Sequence, residues 1–207
     1  FFSRSAPRTA ILEQEVERLA STSTASRLKP LCSTRWVESH KAFITFKELF
    51  LPIVAALEKI SEERTTSSPR ANELLSAVSK YEFVVALYVI ENFSALLLPL
   101  STSLQSPELD IFCALELVDV VEVLRMRRDE AASRFAEIFK DVAWMCSEVE
   151  IDVRAPRRCN VQQCRNNHSM ETAEDYYRVA VYIPYLCEKS YFRELKEDGQ
   201  SQRSHCL

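Results

Sequence analysis

The chain has 207 residues, 47% of them hydrophobic and 27% charged, with a formal net charge of −4. That mixture is ordinary for a folded soluble protein, and the length suits one elongated domain on the usual scale of about 100–200 residues. A single glycine, Gly199, excludes the glycine-dependent turns of sheet proteins and the phosphate loops of α/β enzymes. The acidic balance excludes a global attraction to nucleic acid and leaves any DNA contact to a local basic patch.

The first predicted element is a short helix over roughly 7–20. Ser5 is its candidate cap, Pro7 sits at its start, and Leu12, Val16 and Leu19 follow at helical spacing. The Ser/Thr-rich stretch from Ser21 to Ser26 ends it. A second helix is predicted from about Thr34 to Ser61. Phe43, Phe46, Phe50, Ile53, Leu57 and Ile60 recur in steps of three and four along it. Pro52 interrupts this pattern and is expected to kink or break the ladder there.

Ser68-Pro69 and Ser106-Pro107 share a start signal, a capping hydroxyl followed by proline. They bracket a helix near 69–79 and a very apolar one near 80–104, bent by Pro99. The longest apolar run, Val84 to Leu100, contains Glu91, Asn92 and Pro99, which favours a buried helix over a membrane span. Glu116, Asp119 and Glu122 mark the solvated stripe of the next segment. Phe135, Phe139, Val142, Cys146 and Val149 continue at helical spacing, as a further helix or an extension of that segment. Residues 155–169 are basic, polar and aperiodic, the mark of a connecting loop. Thr172-x-x-Asp175 resembles a capping box and opens a last helix that Pro184 bends or splits, before a frayed tail.

Few residues invite chemistry. Leu31-Cys32-Ser33-Thr34-Arg35-Trp36 is physically a helix start. One reading buries Trp36 as a core anchor with Arg35 paired to an acid. The other turns the pair to nucleic acid, guanidinium on phosphate and indole on an unpaired base. Arg154, Arg157, Arg158 and Arg165 form a local basic cluster that suits phosphate or the acidic helices equally. Cys159, Cys164 and His168, with Cys187 or His205-Cys206 as a fourth ligand, fit zinc spacing poorly, so free thiols are the default. The odd count of seven cysteines without a framework points to a reducing compartment. Neither a catalytic Ser-His-Asp nor a Cys-His set is arguable, and His40 is read as an exposed or satisfied polar residue.

Three ordered strings carry a resemblance. "LCSTRW" followed by "FITFKELFLPIVAALEKI" resembles the insertion domain of hAT-family transposases, in the branch containing the animal MYM-type and THAP-type zinc-finger proteins. "RRCNVQQCRNN" followed by "ETAEDYYRVAVYIPYL" is similar to that branch's Arg-rich segment and the helix that follows it, and "FFSRSAPRTAIL" to the stretch before its Arg–Trp pair. The resemblance implies an RNase H-like parent whose two aspartates precede the insertion and whose glutamate follows it. Together those carboxylates would bind a divalent metal such as Mg. The chain is expected to lie between those positions, so no catalytic residue, metal ligand or cofactor is assigned within it. The tail "EKSYFRELKEDGQSQRSHCL" departs from the family. A frameshift, an alternative exon or decay would each explain it.

The expected fold is therefore all-α, an irregular helical bundle corresponding to an insertion domain with the core strands absent. Residues 1–153 would be the helical domain, 154–171 the basic connection, and 172–207 the last helix and tail. The expected function is that of a non-catalytic fragment of a transposase-like protein whose parent binds transposon-end DNA. Thr34, Arg35, Trp36, Arg157, Arg158 and Arg165 are the candidate DNA-binding residues. The alternative is a domesticated helical module for protein interaction or oligomerisation. DNA through the parent is the expected partner, with self-association open, neither membrane nor small-molecule substrate expected, and the nucleus as the location the family implies.

Overall fold

The computed structural model describes residues 1–20, 23, 25, 27–31, 36–63, 66–104, 123, 126–154 and 172–186. Among them there is no strand, and the all-α expectation holds. A short 3-10 turn at Phe2–Arg4 leads into α1 (Ala6–Leu19), followed by α2 (Trp36–Glu48), α3 (Phe50–Glu62), α4 (Ser68–Val78) and α5 (Tyr81–Leu104). Further on come α6 (Ala131–Glu148) and α7 (Ala173–Tyr177), which runs on as a π-helical segment at Arg178–Tyr182. The segments predicted between 105 and 122 and the connection at 155–169 lie outside the described residues.

The chain divides into two compact units, Phe1–Pro107 with Lys140–Arg154, and Glu108–Phe139 with Ala155–Leu207. In the first, α1 packs on α3, α3 on α4, and α2 along α5. On α3 the apolar set Phe50, Ile53, Leu57 and Ile60 is buried as its spacing predicts, joined by Val54 and Ala56. Glu58 and Lys59 stay in solvent. Each fully buried side chain of this size contributes about 1.5–3 kcal/mol through area removed from water. On α5, Tyr81, Val84, Val85, Tyr88, Val89 and Phe93 form the buried stripe. The span Tyr81–Pro99 is long and apolar enough to cross a bilayer. At its middle, however, Glu91 receives Lys47 Nζ of α2 at 2.7 Å, and the same ammonium lies 4.5 Å from the Tyr88 ring centroid. An ion pair and a cation–π contact tie α5 to α2 there.

The prolines act at a distance. The expected break of the 34–61 helix occurs at Leu49, three residues before Pro52, where the backbone leaves helical angles (φ −96°, ψ 14°). Pro52 has no N–H to offer Glu48, and its ring would press on that carbonyl. α2 therefore ends on Glu48, while Leu49 N–H still reaches Thr45 O (3.1 Å) and Ile53 N–H reaches Leu49 O (2.9 Å). Pro184 neither ends nor splits its helix. The turn before it widens instead, so that Ile183 N–H donates to Arg178 O, five residues back. The looser turn takes the proline ring without the clash an α-turn would impose.

Two caps depart from the reading of the sequence. Ser5 is the N-cap of α1, but its side chain makes no capping bond. Thr9 Oγ1 lies 3.0 Å from both Phe2 O and Ser5 O and shares its one proton between the two carbonyls. Ser68 is not the cap of α4 but its first residue, after Ser67. Its buried hydroxyl donates to Ile60 O (3.0 Å), satisfying a carbonyl in the last turn of α3. Thr172 caps α7 as expected, accepting from Asp175 N–H at 3.1 Å. The reciprocal bond differs: Thr172 Oγ1 donates to Asp175 Oδ2 (3.0 Å), since the Asp side chain is a methylene shorter than the usual Glu.

α6 ends in a Schellman motif. Ile151 N–H reaches Cys146 O at 2.8 Å and Glu150 N–H reaches Ser147 O at 3.5 Å. Glu150 takes the left-handed conformation at φ 54° that glycine usually supplies. In the second unit, the first turns of α6 give Phe135 a buried seat 5.4 Å from the Tyr182 ring and 5.9 Å from Phe139.

Candidate nucleic-acid interface

The sequence places its best-matched residues at the start of α2, and Trp36 is the first residue of that helix. Thr34 and Arg35 lie outside the described residues, as do Arg157, Arg158 and Arg165. Of the candidate contact residues, Trp36 alone falls among the described residues, and the helix it opens can be followed from there. Val37, Ala42 and Thr45 are buried, and α2 packs along α5. Lys47 locks the far end of the helix through Glu91. Ahead of the motif, Arg27 Nε donates to Glu13 Oε1 of α1 at 2.8 Å in an exposed ion pair.

The approach segment, residues 28–31, borders an apolar groove of about 450 Å³ between α2 and α5. Phe43, Phe46, Phe83 and Ile90 line it, with Leu28 and Leu31 on the approach side. Leu31 is 67% exposed. Phe46 stands 6.0 Å from Phe83 edge-on, and Phe50 stacks on Phe83 at 6.4 Å. Lys29 is the charged residue at its border. Sequence spacing had put Phe43 and Phe46 on one continuous core face with Phe50 and Ile53. The break at Leu49 ends that continuity, so both rings are left half-buried. The pairing of α2 with α5, which creates the groove, has no signature in local spacing.

Of the basic cluster, Arg154 is described. It lines a polar depression of about 290 Å³ together with Lys80, Glu82, Glu150 and Asp152. Two cations against three carboxylates make a mixed field, without the single sign that phosphate recognition uses. Elsewhere, arginines pair with acids three or four residues away along the chain, as Arg134 does with Glu130 at 3.0 Å and Arg178 with Asp175 at 3.1 Å. Such surface pairs contribute little to stability.

The groups that titrate away from their ordinary values are buried or hydrogen-bonded. Burial pushes the Cys146 thiol up to about 11, which makes it a core group and a poor nucleophile. Burial, then the nearby Asp141, Cys146 and Glu91, raises the Tyr88 hydroxyl above its ordinary range. Burial also raises Tyr182, against the opposing charges of Arg127 and Arg134. Arg178 and then Thr172, by hydrogen bonding, hold the exposed Asp175 carboxyl below its ordinary value. Among the described residues no group of three His, Cys, Asp or Glu side chains could hold a metal. Cys159, Cys164, His168, Cys187, His205 and Cys206 lie outside them, and His40 is half-buried on α2.

Comparison with known proteins finds similarity along the whole chain. It is 25% identical over 216 residues to the mouse (Mus musculus) "52 kDa repressor of the inhibitor of the protein kinase" and 25% identical over 215 residues to the human (Homo sapiens) protein of that name. The chain spans 28% of the length of each of these relatives. No protein-family model matches the sequence, and no solved structure matches it.

Proposed function

We propose that this chain is a helical, non-catalytic segment of a transposase-derived regulatory protein, and that it contributes a nucleic-acid contact through Thr34, Arg35 and Trp36. The observation that supports the reading is the similarity, along the whole of this chain, to proteins named as repressors, in a chain whose Trp36 opens helix α2. The resemblance to hAT insertion domains supplies the origin, and the all-helical fold agrees with it. On this reading the parent acts in the nucleus on DNA. Arg157, Arg158 and Arg165 add phosphate contacts, and no carboxylate of this segment serves a metal. α5 is a core helix, with neither membrane nor small-molecule substrate involved.

A second reading is favoured by the groove beside α2 and by Trp144, which is 57% exposed on the polar face of α6. In it the segment is a domesticated protein-interaction or self-associating module without DNA contact.

One experiment separates the two. Affinity for a hairpin DNA is measured by fluorescence anisotropy at two salt concentrations for the wild type, Arg35→Ala and Trp36→Ala, with helical content checked by circular dichroism. The first reading expects each variant to weaken binding about tenfold, since a charged phosphate contact or a stacked base is worth about 1–3 kcal/mol, with the salt slope smaller for Arg35→Ala. Equal affinity in all three proteins would remove the pair from the interface. Absence of binding, together with concentration-dependent association in sedimentation, would favour the second reading.

A further inference from the structure

We draw no further inference here: the strongest candidate, the half-open apolar groove between α2 and α5 beside residues 28–31, has an aromatic lining and one lysine at its border, and nothing in the structure shows what covers it.

Discussion

Replacing Glu150 by glycine should make the protein more stable, although glycine normally weakens a helical protein. Glu150 sits at φ 54°, immediately past the end of α6, where its N–H closes the Schellman motif on Ser147 O. A residue with a Cβ is strained there by about 1–2 kcal/mol. Glycine removes that strain but loses more chain entropy on folding, by about 0.5–1 kcal/mol. The net gain is about 1 kcal/mol, or about 2–4 °C in melting temperature for a chain of 207 residues. The decisive comparison is Glu150→Gly against Glu150→Ala, because both delete the carboxylate from the negative end of the helix dipole and only one keeps the Cβ. Urea unfolding should place the glycine variant at a higher midpoint than the alanine variant, with an unchanged slope. Ala143→Gly, inside the same helix, supplies the opposite sign, a loss of about 1 kcal/mol. If Glu150→Gly proved no more stable than Glu150→Ala, the left-handed cap would not be the controlling feature of this helix end.

Other expectations follow from the packing and the titrating groups. Phe135→Ala, which empties a fully buried site beside Tyr182, should cost about 3–5 kcal/mol in urea unfolding. Thr172→Ala should cost about 1 kcal/mol by removing the cap of α7, and it should also raise the Asp175 titration midpoint seen by carboxyl-carbon NMR. Asp175 is depressed below its ordinary value of 3.8. Its contribution to stability is therefore present above the unfolded value and lost as pH falls through the folded one. An Asp175 midpoint unchanged by Thr172→Ala would show that the hydroxyl does not hold the carboxylate. Cys146 has the opposite sense. Its thiol is raised from 9.0 to about 11, so folding favours the protonated form and stability should fall as pH rises across that interval. Modification of Cys146 by a disulfide reagent, located by peptide mapping, should become rapid only when the chain unfolds, and fast labelling in the native state would contradict its burial.

Helix existence was legible because it depends on a periodic property, and one glycine in the chain left little room for other architectures. α1, α4 and α5 begin and end within a residue or two of their predicted bounds. The effects of the two prolines fall upstream of the residues themselves. The ring of Pro52 acts on a carbonyl four residues earlier, so the break appears at Leu49, and Pro184 is accommodated by a widened turn upstream. Ser68 shows a different limit. Ser-Pro reads as a cap from local chemistry, but its hydroxyl was recruited by the carbonyl of Ile60, a partner that exists only once α3 and α4 meet. Glu150 was invisible for a related reason, since a left-handed cap is normally announced by glycine or asparagine. The motif at Thr34–Trp36 was legible only as a string. The apolar groove beside it depends on which helices pair, information that local spacing does not contain.

The division of the chain between its two compact units has a topological consequence. Backbone belonging to the first unit is interrupted after Pro107 and resumes at Lys140, partway along α6, before the chain departs again beyond Arg154. No single scission of the polypeptide frees either unit from backbone that belongs to the other. A nested arrangement of this kind tolerates shuffling poorly, because any recombination breakpoint between Glu108 and Arg154 divides one unit or both.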